Sequence, residues 1–130
     1  MRPLTVWRSL FWLTFGAFFL TAGLNMAHIS AGFATNHLAD LAGPAWLYIV
    51  FRGLATLQRR TQFGRVLGAT PARAALILFA GSTITEVSQY YWPIGLFPGR
   101  FDPLDILTYA CGLLPLYLLD RWLAQSPTST

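Results

Sequence analysis

The sequence has no lysine and few charged residues of any kind. All nine basic residues are arginines, five residues are acidic, and only 11% of the chain is charged, against about 25% in an ordinary soluble domain. Hydrophobic residues make up 55% of the chain, which predicts a membrane protein. The arginines stand at the edges of apolar runs, a distribution that argues against nucleic-acid binding and favours membrane lipids as partners.

Cysteine and metal-binding patterns are also scarce. Cys111 is the only cysteine, so an internal disulfide is excluded, and its apolar surroundings predict a small packing residue. His28 and His37 lack the companion three or four residues away that a helical metal site needs, and no Cys/His cluster has zinc spacing. We therefore predict ordinary loop histidines, no metal and no cofactor.

Four apolar segments approach the length of about 20 residues that a membrane-spanning helix needs. They cover residues 9–27, 38–57, 74–92 and 103–122. The second is the weakest, because Asp40 stands near its start and Arg52 in its later half, where the arginine side chain is expected to snorkel to the interface. Arg2 and Arg8 before the first segment also suit a signal peptide, but the apolar run exceeds a signal core, which favours a retained helix.

The arginines orient these segments. With four spans, eight of the nine arginines fall on one side and Arg100 alone falls on the other, so the positive-inside rule predicts that both termini are cytoplasmic. The expected fold is an all-α bundle of four transmembrane helices, forming a single domain over residues 1–130. The basic stretch from Gln58 to Arg73 is expected to be a loop with a short interfacial segment at most.

In this orientation most of the acidic residues lie toward the outer leaflet. They are Asp40, Glu86, Asp102 and Asp105, and only Asp120 lies inside. A carboxylate within a span is costly, so it usually survives where it is paired, solvated or used. Helical spacing places Glu86 and Gln89 on one face of the third segment, and Asp105 and Tyr109 on one face of the fourth. The short connection makes these helices antiparallel neighbours, so the two polar faces can meet.

Three interpretations of these polar residues are open. Because Asp102 and Pro103 have the pattern of a helix start, the residues can form a structural plug in which Arg100 pairs with Glu86 or Asp105. They can instead form an outward-facing pocket in which Arg100 contacts a phosphate or another anionic head, while Glu86 handles a proton or orients the ligand. The third interpretation is an interface with a partner protein.

The segment E-V-S-Q at 86–89, followed by R-F-D-P-L-D-I-L-T-Y-A-C-G at 100–112, resembles the signature of the VanZ-like family of small bacterial membrane proteins. In that family a Glu and a Gln three residues apart precede an Arg and a second helix that carries Asp, Asn and Gly. The matching residues are Glu86, Gln89, Arg100, Asp105 and Gly112. Tyr109 stands where the family usually has Asn. A sister group of small four-helix proteins is similar at this position, and also carries an Asp-x-x-Gly like that from Asp40 to Gly43.

The resemblance implies a multi-pass protein of the bacterial inner membrane that acts in the cell envelope, and the founding member is associated with low-level teicoplanin resistance. Our leading hypothesis is that a polar cluster binds a lipid or a lipid-linked anionic ligand, with no catalytic residue. Its members are Asp40, Glu86, Gln89, Arg100, Asp105 and Tyr109. A second hypothesis is a small accessory subunit of a larger membrane complex, respiratory or photosynthetic, with the aromatic first span as its interface. A third is an envelope enzyme acting on a lipid phosphate, with Glu86 and Asp105 as acid and base.

Overall fold

The computed structural model describes residues 3–55, 62–96 and 99–125, and every regular element in these ranges is helical. The helices are α1 Pro3–Met26, α2 Phe33–Asn36, α3 Leu38–Arg52, α4 Gln62–Leu67, α5 Pro71–Tyr91 and α6 Pro103–Gln125. The predicted all-α class is therefore confirmed. Several predicted features lie partly outside the described residues: Arg2, the last two residues of the second apolar segment (56 and 57), residues 58–61 of the basic stretch, and residues 126–130 after α6.

Helices α1, α3, α5 and α6 overlap the four apolar segments of the sequence, but they differ in length and hydropathy. Among the described residues, α1 alone is long and apolar enough to cross a membrane, and an apolar helix near the N-terminus is typical of a membrane span or of a signal sequence. Helix α3 has only 15 residues. Helices α5 and α6 are longer, but residues such as Glu86 and Asp105 interrupt their apolar sequence.

Helix α3 is the centre of the bundle. It packs against α1, α5 and α6, whereas α1 packs mainly on α3 and α2. Tyr48 and Ile49 of α3 have no exposed surface. The buried core around them comprises Trp7, Ala45, Ala74, Leu78, Leu113 and Leu116. Gly53 ends α3 in the left-handed conformation, with φ of 63°, as is usual for the glycine after a helix. Helix α3 is therefore shorter than the second apolar segment, which is predicted to continue to residue 57.

Gly112 allows α6 to approach α3 closely. A Cβ atom at this position would overlap the backbone carbonyl oxygen of Leu41, an atom that cannot move without shifting α3. The contact lies near the start of α3 and the middle of α6, and it brings the Tyr109 hydroxyl to 3.5 Å from Asp40 Oδ1. The glycine therefore positions two of the predicted site residues.

Arg52 lies inside the bundle, so the prediction that it snorkels outward is wrong. Its side chain pairs with Asp120, with Nε 2.6 Å from Oδ2, and Nη1 donates to the carbonyl oxygens of Gly68 at 2.8 Å and Ala69 at 3.2 Å. The Tyr48 hydroxyl donates to the same Asp120 oxygen at 2.8 Å. We call the side chains of Arg52, Asp120 and Tyr48, with these two carbonyl groups, the Arg52 cluster. It joins α3, α6 and the turn before α5.

The outer faces of α1, α5 and α6 are apolar. Large side chains that are more than half exposed include Trp12, Leu13, Leu20, Leu76, Ile84, Leu107, Leu114 and Trp122. Cys111 is also exposed, so the predicted packing role is wrong. The molecule thus buries charged side chains at both ends of α3 and presents apolar side chains outside.

Candidate functional site

Glu86 is the most buried acidic residue of the predicted site, with 3% of its surface exposed. Both carboxylate oxygens accept hydrogen bonds. Oε1 accepts from the Tyr109 hydroxyl at 3.0 Å, and Oε2 accepts from the backbone N–H of Asp102 at 3.3 Å. Glu86 therefore ties α5 to α6 and to the loop that leads into α6. No arginine among the described residues forms an ion pair with it.

Tyr109 connects two carboxylates. Its hydroxyl lies 3.0 Å from Glu86 Oε1 and 3.5 Å from Asp40 Oδ1. A phenol carries one proton and donates it to one acceptor at a time, so the shorter contact to Glu86 is the stronger. The second carboxylate then adds unbalanced negative charge, which makes the site attractive to a proton or a cation.

His37 belongs to the same site, a contact that the prediction of an ordinary loop histidine does not include. It lies between α2 and α3, and its Nδ1 is 2.9 Å from Asp105 Oδ1 in the first turn of α6. One ligand atom each from His37, Asp102 and Asp105 all lie within 4.8 Å of one another. One imidazole and two carboxylates are a donor set that divalent metals accept. Sequence spacing could not reveal this contact, since His37 and Asp105 are 68 residues apart.

Asp102 has two roles. Its Oδ1 accepts from the backbone N–H of Leu104 at 2.9 Å, the contact of a helix cap that the Asp-Pro pattern predicts. Its own backbone N–H binds Glu86, so the cap and the buried carboxylate are linked. We call the joined side chains the carboxylate cluster. Its members are His37, Asp40, Glu86, Asp102, Asp105 and Tyr109.

Two cavities border the carboxylate cluster. The larger, the loop cavity, has a volume of about 710 Å³. Its lining residues are Thr35, Asn36, His37, Arg100, Phe101, Asp102, Pro103 and Asp105. The smaller, the interhelical cavity, has a volume of about 220 Å³ and lies beside Asp40 and Tyr109. Phe18 and Trp46 form part of its wall, so it joins the carboxylate cluster to the aromatic contact between α1 and α3.

Gln89 and Arg100 do not join the carboxylate cluster by a described hydrogen bond. The Gln89 amide lies against Gly99, where an added Cβ would be 2.9 Å from it, and both residues line a groove that also contains Arg100. Arg100 is exposed and lies beyond salt-bridge distance of every described carboxylate. The interpretation in which Arg100 pairs with Glu86 or Asp105 is therefore wrong. Arg100 instead contributes the positive charge at the edge of the loop cavity.

Comparisons with known proteins add no relative: no family model matches the chain, and no curated protein or solved structure matches it either.

Proposed function

We propose that this chain is a VanZ-like, multi-pass protein of the bacterial inner membrane. In this proposal α1, α3, α5 and α6 each cross the bilayer, and both termini are cytoplasmic. The observation that carries the proposal is the distribution of polarity. Arg52, Asp120 and Glu86 are buried at 8%, 4% and 3% exposure, while large apolar side chains cover the outside. A soluble protein places charge the other way round, whereas a bilayer favours charged groups that are turned inward and paired.

Its role is to bind a lipid or a lipid-linked ligand at the loop cavity, in the outer leaflet and without a chemical step. The aromatic residues at the end of α5 support a position near the membrane surface. Tyr90, Tyr91 and Trp92 are all more than half exposed, and exposed aromatic residues of this kind concentrate at headgroup level. The Phe101 ring of the loop cavity packs edge-on against Tyr90, with centroids 5.6 Å apart. The loop cavity therefore lies at the same level as the aromatic residues at the end of α5.

Native mass spectrometry of the protein purified in mild detergent tests this role. We expect wild type to retain a lipid, and we expect Glu86→Gln and Asp105→Asn to reduce its occupancy at least tenfold with the helical circular dichroism spectrum unchanged. Arg121→Gln, an exposed change near the far end of α6, is the control and should keep the lipid. Loss of helical structure in both site variants would support a purely structural cluster and count against the proposal.

A second candidate is an accessory subunit of a larger membrane complex, and α1 favours it. Trp12 is 65% exposed and Phe19 is 48% exposed, although both belong to a chain of ring contacts that runs along α1 to Trp46. Purification from native membranes separates the two candidates. A stoichiometric complex that survives mild detergent supports the subunit, and a free chain that still carries lipid supports the binding protein.

A further inference from the structure

The loop cavity contains charged groups of both signs that the fold leaves available. Asp102 uses Oδ1 for its cap and Asp105 uses Oδ1 for His37, while Oδ2 of each accepts no hydrogen bond among the described residues. Arg100 lines the same cavity but forms no ion pair with the described carboxylates. A complementary ligand therefore has to present a cation to the aspartates and an anion to the arginine.

A purely anionic ligand fits this arrangement poorly. Its phosphate would meet Arg100, but Asp102 and Asp105 line the same cavity, and Glu86 accepts the Asp102 N–H behind them. Like charges repel more strongly in a partly enclosed cavity than in bulk water, so this repulsion would offset the attraction to a single guanidinium. A simple cation would satisfy the aspartates and leave Arg100 without a partner.

Resting on the proposed lipid-binding function, we infer that the loop cavity selects a zwitterionic phospholipid headgroup with a primary amine. The ammonium group lies between the Asp102 and Asp105 carboxylates, and the phosphate lies against Arg100. A primary ammonium carries N–H donors for the two unused Oδ2 atoms, whereas a trimethylammonium carries none. The expected order of affinity is therefore phosphatidylethanolamine first, with phosphatidylcholine and phosphatidylglycerol both weaker. This reverses the expectation of an anionic ligand.

The test measures lipid occupancy by native mass spectrometry after exchange into phosphatidylethanolamine, phosphatidylcholine or phosphatidylglycerol, each with and without EDTA. We expect at least tenfold higher occupancy by phosphatidylethanolamine than by either other lipid, and no effect of EDTA. Arg100→Gln should lower phosphatidylethanolamine occupancy about tenfold, while Arg73→Gln, also exposed but at the start of α5, should leave it unchanged. Because Arg100 is exposed and makes no described hydrogen bond or ion pair, its variant reports on binding even where Asp105→Asn unfolds.

The outcomes distinguish failure of the lipid-binding proposal from failure of the proposed headgroup selectivity. Failure to retain any of the three lipids would overturn the lipid-binding function itself. Equal retention of phosphatidylglycerol and phosphatidylethanolamine, both lost in Arg100→Gln, would keep that function and overturn the selectivity. Phosphatidylglycerol that is retained only before EDTA treatment would show that His37, Asp102 and Asp105 hold a metal ion instead of an amine. Competition by free phosphoethanolamine as strong as that of the lipid would overturn the assignment to a lipid.

Discussion

At the scale of single residues, the ion pair between Arg52 and Asp120 is the contact whose loss is expected to reduce stability most. Both side chains are nearly fully buried, and Tyr48 and two backbone carbonyls complete their hydrogen bonds. Removing one partner of a buried pair leaves a charge without compensation, which costs about 3–5 kcal/mol.

We therefore expect Arg52→Met to lower the free energy of unfolding by about 3–5 kcal/mol, measured by reversible unfolding in detergent and followed by circular dichroism. The double variant Arg52→Met/Asp120→Leu should be less destabilised than the sum of the two single variants, because neither charge remains. Arg73→Met, at an exposed position, is the matched control, and its effect should stay below about 0.5 kcal/mol. Additive single variants would show that the pair is not coupled.

The hydroxyl of Tyr109 gives a second prediction. Tyr109→Phe removes the donor to Glu86, and a hydrogen bond to a charged group contributes about 1.5–3 kcal/mol. The free energy of unfolding should fall by that amount. Tyr117→Phe on the same helix removes a hydroxyl whose partner is the exposed Arg121, so it should change stability by less than about 0.5 kcal/mol. Equal effects of the two variants would show that Tyr109 does not stabilise the carboxylate cluster.

Local sequence pattern predicts those residue roles that depend on neighbours in the chain. Asp102 beside Pro103 predicts a capped helix start, and the Asp102 side chain does bind the N–H of Leu104. The pattern does not reveal the partners of Arg52 and His37, because each partner is 68 residues away. Because local sequence does not show these partners, it predicts that Arg52 snorkels to the interface and that His37 is an ordinary loop residue.

At the scale of helices, the length of α3 sets the geometry of the bundle. At 1.5 Å per residue, its 15 residues extend roughly 22 Å, less than the hydrocarbon thickness of about 30 Å, so the crossing proposed for α3 requires local thinning of the bilayer. Helix α6 is longer and crosses α3 where Gly112 meets Leu41. The carboxylate cluster depends on this crossing, since Asp40 and Tyr109 lie beside it.

Gly112→Ala should therefore separate α3 from α6. The added Cβ would meet backbone rather than a flexible side chain, and overpacking of this kind costs about 1–3 kcal/mol. Gly81→Ala in α5 is the matched control, because no atom beyond the adjacent residues and backbone of its own helix lies within 4 Å of its added Cβ and alanine is favoured over glycine in a helix by about 0.5–1 kcal/mol. Thermal unfolding in detergent should show a loss in the first variant and a gain in the second. A gain in both would contradict the close contact.

The predicted start of the fourth segment at Pro103 is confirmed, but two other helix boundaries differ from the ends of the apolar runs. Helix α5 begins at Pro71 because the Thr70 side chain accepts from the Arg73 N–H, three residues before the start that the apolar run predicts. Helix α3 ends at Arg52 because Gly53 adopts a left-handed conformation, five residues before the predicted end of the second span. Hydrophobicity predicts where these helices lie in the sequence, but hydrogen bonds and backbone conformation at the caps determine where they begin and end.

At the scale of the whole molecule, the topology is open to direct measurement. In a Cys111→Ser background we expect Ile94→Cys, 87% exposed after α5, to react in intact cells with a maleimide that cannot cross membranes. Gln125→Cys at the end of α6 should react only after permeabilisation, because the proposed termini are cytoplasmic. Labelling of both positions in intact cells would contradict the four-span topology and support a secreted chain.

The Arg52 cluster also constrains the order in which the molecule is completed during synthesis. Asp120 follows Arg52 by 68 residues, and the segment that separates them includes α4, α5 and most of α6. Of the partners that Arg52 has in the folded chain, the carbonyl groups of Gly68 and Ala69 are synthesised first and Asp120 last. We therefore expect the buried charge of Arg52 to be neutralised only after most of α6 has been synthesised.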